Sequence, residues 1–178
     1  MACNQLTDIL RGCDNNLGGI KKFYITAWDN VTVATEAVTG DGILTTITLD
    51  PTISPAPVFV EYEFTKNSSS FVEEAQISLE NGSTFYQTTT TLIIPRREVA
   101  KRNSLALLAN GQQDLFIIMQ DYNDVYWAQG WKNGANLTAQ GEGSGVAKAD
   151  GSKYSLTFIS EEDQQMPTVD STIISSLL

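Results

Sequence analysis

The sequence predicts a mainly β fold of the α+β class, in which two packed antiparallel sheets form a sandwich or partly open barrel with one central helix. Runs of β-branched and aromatic residues recur between turn residues at the spacing typical of such folds. Charged residues make up only 18% of the chain. Much of the polar surface must therefore be Ser, Thr, Asn, Gln and Gly, which suit strands and turns.

The length of 178 residues predicts a single domain over residues 1–178. Residues 1–19 and about 164–178 are possible terminal arms. A short N-terminal helix is predicted over residues 4–11, where Leu6, Ile9 and Leu10 follow helical spacing. Strands are predicted over the residues that follow. Asp29–Asn30 would form a tight hairpin. The Thr run at 88–91 is polar, so that part of its strand would be exposed or would contact another chain. The strand ranges are 23–28, 31–37, 43–49, 58–64, 70–79 and 83–94.

The central helix is predicted over about residues 96–109, between Pro95 and the stop signal at Asn110–Gly111. Its apolar stripe should pack on the sheet, and consists of Val99, Ala100, Asn103, Ala106 and Leu107. Residues 115–119 (LFIIM) predict a buried strand, followed by a strand over 125–131. Residues 146–149 and 153–159 predict a closing hairpin around Asp150–Gly151.

Composition argues against several functions. The chain has 21 acidic and 11 basic residues, so its formal charge of −10 disfavours a nucleic-acid-binding surface. It has no histidine, which removes the commonest general base and most zinc-site patterns. Cys3 and Cys13 are the only cysteines, and the sequence leaves open whether they are paired. We predict no catalytic, cofactor-binding or metal-binding residues, and therefore no enzyme.

Weaker motifs each have a structural interpretation. Asp121 and Asp124 fit a tight turn better than a calcium site. The acidic run 161–163 is typical of a solvated surface, and the glycine-rich 141–145 lacks the ending of a phosphate loop. Trp127 and Trp131 would share one face of a strand. With Trp28 they suggest either a ligand-stacking platform or ordinary packing.

The basic segment is the most distinctive feature. Arg96, Arg97, Lys101 and Arg102 are four of the chain's eleven cations and lie within seven residues. They form either a solvated helix face or half of an electrostatic contact with an acidic neighbour. Opposite patches on identical chains produce heterologous contacts, which can close into rings. These four residues are therefore our candidates for a subunit interface.

The chain also resembles a known class of proteins. The features are the helix PRREVAKRNSLALLANG after a long strand, the motif ADGSKYSLTF before an acidic stretch, and the opening CNQLTDILRGC. Together they resemble virion proteins of tailed bacteriophages, of the tail-tube or neck-ring type. The resemblance implies two sheets packed around a helix, rings whose inner sheet lines a DNA channel, and no catalytic residues.

We therefore expect a non-enzymatic structural protein that forms a ring or tube in a phage tail or neck. Its expected partners are copies of itself and neighbouring virion proteins, with no cofactor and no membrane. It would be made in the host cytoplasm and reside in the virion. DNA would pass without specific binding, because an acidic wall repels the DNA backbone. The alternative is a monomeric β-sandwich binding module, either an adhesin or a carbohydrate binder.

Overall fold

The structure, a computed structural model, describes residues 8, 9, 13 and 15–178 and confirms a mainly β fold with a central helix. Within these residues lie eleven strands, two α-helices and a 3-10 turn at Trp28–Asn30. The strands are β1 Ile20–Ala27, β2 Val31–Glu36, β3 Ile43–Leu49, β4 Val60–Glu61, β5 Ser70–Ser78, β6 Ser83–Pro95, β7 Leu115–Asp121, β8 Tyr126–Gln129, β9 Ala135–Gly143, β10 Lys153–Glu162 and β11 Thr168–Val169. The helices are α1 Val99–Gly111 and α2 Ser171–Ile174.

The strands form one continuous sheet that folds into two layers. Layer one has the order β4-β1-β7-β8-β11-β3-β2, and layer two has the order β9-β10-β6-β5. A single pairing, Leu115 with Ala135, joins β7 to β9 and so joins the layers. All pairings are antiparallel except that of β11 with β3. The predicted sandwich is thus two layers of one mixed sheet.

The core between the layers is built from the alternating inward residues of four strands. Phe23 of β1 packs on Phe158 of β10, with ring centroids 5.5 Å apart. Leu105 of α1 belongs to the same cluster. The other main contributors from the two layers are Ile25, Leu92, Leu115, Ile117, Met119, Tyr154 and Leu156. This alternation follows from the two-residue period of a strand.

A second core lies on the opposite face of layer one. Phe116 and Ile118 of β7 point into it, so all seven residues of β7 are buried. This burial confirms the predicted buried strand at 115–119. Ile174 and Leu177 cover this face, so the C-terminal segment packs on the body.

Two predictions in the N-terminal half are wrong. The strands β1 and β2 do not form a hairpin, because β1 pairs with β4 and β7 while β2 pairs with β3. The intervening 3-10 turn is held by Trp28, whose backbone N–H donates to the Asp114 carbonyl at 2.8 Å. In the predicted strand 58–64, only Val60–Glu61 is strand, and Phe59 is buried whereas Val58 is exposed.

Two further predictions fail around layer two. The strand that precedes β10 in its hairpin is β9, so the glycine-rich stretch forms a strand and residues 146–149 lie in the exposed connection. In the Thr run, Thr88 and Thr90 are buried rather than exposed. Thr90 Oγ1 donates to Gln129 Oε1 at 2.7 Å, and this bond satisfies its hydroxyl inside the protein.

Residues 1–7, 10–12 and 14 lie outside the part of the chain that the structure describes. Most of the helix predicted over residues 4–11 lies outside the described residues. Cys13 is exposed, and Cys3 also lies outside the described residues.

Candidate subunit interface

The basic segment, residues 96–102, begins at the turn that follows β6. Arg96 has a left-handed backbone with φ 63°, which reverses the chain direction. Its N–H donates to the Ser152 carbonyl at 2.7 Å, and the N–H of Arg97 donates to Ser152 Oγ at 3.1 Å. These bonds tie the turn to the loop before β10 and fix where α1 starts.

Three of the four cations make ion pairs within the chain. Arg96 Nε lies 3.0 Å from Glu98 Oε1, and Lys101 Nζ lies 3.8 Å from Glu98 Oε2. Arg97 Nη2 lies 2.9 Å from Glu142 Oε2, and this hydrogen bond raises the pKa of Arg97 above its ordinary value. All three pairs are solvent-accessible, and such pairs contribute little to stability. They can therefore rearrange toward another acidic group at low cost.

Arg102 differs from the other three cations. Its backbone N–H donates to the Glu98 carbonyl at 2.9 Å within the helix. No ion pair involves its guanidinium among the residues that the structure describes. The structure thus leaves this charge exposed on the helix surface.

The apolar stripe predicted to pack on the sheet faces outward instead. We call Val99, Ala100, Asn103, Ala106 and Leu107 the outer stripe. Val99 is 74% exposed and Leu107 is 77% exposed, whereas Leu105, on the other side of the helix, is 3% exposed. The sheet buries the helix through Leu105, with Leu108 packed partly against the core. The outer stripe is therefore a mostly apolar helix face that, apart from the half-buried Ala106, the described chain leaves exposed.

A groove continues the outer stripe along one side of α1. It runs between the helix and residues 58–64, and its two halves have volumes of about 380 and 470 Å³. Tyr62 and Ser104 line both halves. The half toward the C-terminal end of the helix has an apolar lining of Ile25, Val58, Val60, Leu107, Leu108 and Leu115. Leu107 therefore joins the groove to the outer stripe.

A second exposed apolar surface lies at the far end of layer two. The last pairing of β10 with β6 is Glu162 with Tyr86, and residues 76–85 continue beyond it as a two-stranded ribbon. Leu79 is 93% exposed and Ile77 is 65% exposed. An isolated two-stranded hairpin is only marginally stable in water. The predicted strands at 70–79 and 83–94 are the two strands of this hairpin, but local pattern does not predict the ribbon, because the ribbon depends on β10 being shorter than the hairpin beside it.

The same end of layer two contains a buried carboxyl group. Glu162 is 6% exposed, and its Oε1 accepts from the Lys132 backbone N–H at 3.1 Å. Its Oε2 is buried without a hydrogen-bond partner among the described residues. Burial raises the pKa of Glu162 to about 7, although the backbone N–H groups of Lys132 and Asn133 oppose the shift. The prediction that the acidic run is exposed to solvent is thus wrong for Glu162.

The residues considered as a calcium site form a turn. Asp121 Oδ1 accepts from the backbone N–H groups of Asn123 and Val125 at 2.8 and 3.0 Å. Asp121 Oδ2 accepts from Trp127 Nε1 at 3.1 Å, and Asp124 pairs with Lys21. The described residues contain no cluster of three or more acidic or cysteine side chains placed to hold a metal ion.

The tryptophans do not form one platform. Trp127 packs against the core between the layers, 6.1 Å from the ring of Phe71. Trp28 and Trp131 pack against the core on the opposite face of layer one. The strand β8 ends at Gln129, and Gly130 has a left-handed φ of 73°, so the alternation that would align Trp127 with Trp131 is broken.

Comparison with known proteins identifies no relative of this chain. No protein-family model matches the chain, and no curated protein or solved structure matches it significantly. Neither described helix has the length and apolar character needed to span a membrane. The functional proposal therefore rests on the surfaces described above and on the sequence resemblance.

Proposed function

We propose that this protein is a non-enzymatic structural subunit that assembles with copies of itself into a ring or tube in a tailed-phage particle. The observation that carries the proposal is the outer stripe, a mostly apolar exposed helix face that follows the basic segment and is bordered by Arg102. A helix normally buries its apolar stripe, and an uncovered stripe beside charges is typical of a binding surface. The phage setting is supported by the sequence resemblance.

The charge of the chain is compatible with the expected DNA passage. A formal charge of −10 per chain produces a repulsive field toward the DNA backbone in any closed ring. The cations are concentrated next to α1, where a subunit contact would neutralise them. Within this proposal, neighbouring virion proteins bind the completed ring, and DNA moves through it without specific contacts.

We expect the double substitution Arg97→Glu and Arg102→Glu to impair assembly while the monomer stays folded. Both side chains lie on the surface, so the change reverses the local charge without disturbing a core. Sedimentation velocity and negative-stain microscopy of concentrated protein should show rings with a central hole for the wild type and monomers for the variant. Circular dichroism should show the same fold for both.

The control carries the same change in net charge outside the basic segment and α1, as Lys66→Glu with Lys148→Glu, two exposed positions. It should assemble like the wild type. Normal rings from the Arg97→Glu, Arg102→Glu protein would refute the role of the basic segment. A wild-type protein that remains monomeric at every concentration, with tryptophan fluorescence that responds to a glycan, would favour the binding module instead.

A further inference from the structure

We infer that the outer stripe of α1 binds the ribbon, residues 76–85, of a second copy of this chain. The inference rests on the proposed function, in that it names the contact through which copies would assemble. The two surfaces lie at opposite ends of layer two, and each exposes apolar side chains that the described chain leaves uncovered.

Both surfaces expose aliphatic side chains. Val99 and Leu107 project from the helix, and the apolar wall of the groove extends from Leu107 to Val58 and Val60. The ribbon presents Ile77 and Leu79. Contact between them removes both sets from water and gives the two-stranded ribbon the packing surface that such hairpins need for stability.

The charges of the two surfaces are complementary. The ribbon has one acid, Glu80, and no cation, so its formal charge is −1, and Glu73 and Glu74 precede it on β5. The segment 96–102 has four cations and one acid, Glu98, which is +3. Opposite charges favour the encounter of ribbon and helix, whereas like charges disfavour helix with helix and ribbon with ribbon.

The geometry requires that the ribbon come from a different copy. The strand β6 has 13 residues and connects the ribbon to the turn before α1. At about 3.3 Å per residue it separates them by roughly 40 Å. The ribbon of one chain therefore cannot fold back onto the start of its own helix. A contact between different patches on identical chains is heterologous, and it forms a ring when the rotation closes.

Disulfide cross-linking tests this contact directly. In a background with Cys3→Ser and Cys13→Ser, one protein carries Leu79→Cys and another carries Leu107→Cys. Both positions are highly exposed, so neither change should affect folding. After mild oxidation of the mixture, we expect a product of twice the chain mass on a non-reducing gel that contains one chain of each kind. The control mixes Leu79→Cys with Val38→Cys, an exposed position in the β2–β3 connection, and should give no such product.

The other outcomes separate this contact from the proposed function. Cross-linking as efficient in either single-cysteine protein alone would overturn the heterologous contact. Rings that assemble without the 79–107 product would overturn it while leaving the ring function standing. Protein that neither assembles nor cross-links at any concentration would overturn both proposals.

Discussion

The substitution Gly130→Ala is expected to lower the free energy of unfolding by about 3–4 kcal/mol, because its methyl group has no room. An added Cβ would lie 2.5 Å from the Ala135 nitrogen, 2.6 Å from the Leu115 oxygen and 2.8 Å from the Gly134 carbonyl carbon. The first two are backbone atoms of the pairing that joins layer one to layer two, and the third is bonded to the Ala135 nitrogen. Relief of the clash would therefore displace the junction between the layers. Thermal unfolding followed by circular dichroism should show a melting temperature lower by roughly 10 °C.

The matched control is Gly42→Ala. Gly42 has the same φ of 73° as Gly130, but an added Cβ there would meet no atom within 4 Å. The Gly42→Ala variant should lose only the conformational advantage of glycine at a positive φ, which lowers the free energy of unfolding by about 1 kcal/mol. The difference between the two variants then isolates the steric contribution at the junction. Equal losses of stability in the two variants would contradict the role assigned to Gly130.

Local periodicity was sufficient to predict the strands whose environment is uniform along their length. The run at 115–119 is apolar throughout because β7 has a core on each face. The alternation of Tyr154, Leu156 and Phe158 is equally clear because β10 has a core on one face only. In both strands the sequence pattern reflects the burial directly, and both predictions are confirmed.

Pairing between distant parts of the chain could not be read from local pattern. The residues Asp29–Asn30 have the composition of a hairpin turn. The strands on either side nevertheless pair elsewhere, since β1 forms a seven-residue register with β7, about ninety positions away. The burial of Thr88 and Thr90 has the same origin. Their hydrogen-bond partner Gln129 comes from another strand, and no feature of the Thr run indicates it.

The helix shows a different failure. The sequence predicts the position of α1 nearly correctly, but it predicts the wrong side of the helix to pack on the sheet. Leu105 and Leu108 lie on one side of α1 and Leu107 lies on the other, so helical spacing alone does not determine which side is buried. The structure buries the side with Leu105. The stripe with the more regular spacing is left exposed, and this reversal is the basis of the proposed contact.

Glu162 could have been found from the sequence. The inward alternation of β10 continues from Phe158 through Ser160 to Glu162, so a period of two places the carboxyl group inside. The composition of three adjacent acids, by contrast, is typical of a solvated run. The register with β6 shows that the strand continues, since Glu162 pairs with Tyr86.

This burial predicts a pH dependence with a definite sign. The pKa of Glu162 is about 7 in the folded protein and near 4.5 for an unperturbed glutamate. Because the folded pKa is raised, the protonated side chain contributes its full stability below about pH 4.5, and the contribution is lost as the pH rises through 7. A shift of this size corresponds to about 3 kcal/mol as an upper limit.

We therefore expect Glu162→Gln to match the wild type near pH 4 and to exceed its melting temperature above pH 7.5 by roughly 5–10 °C. The amide stays neutral at every pH, so the variant avoids the cost of a buried anion. The adjacent Glu161→Gln is the control, because Glu161 is exposed and accepts from Gln87 Nε2 on the outer face of the sheet. It should show no such pH-dependent gain. If the melting temperature of Glu162→Gln tracks that of the wild type from pH 4 to pH 9, the carboxyl group ionises as in water, and its burial has no effect on stability.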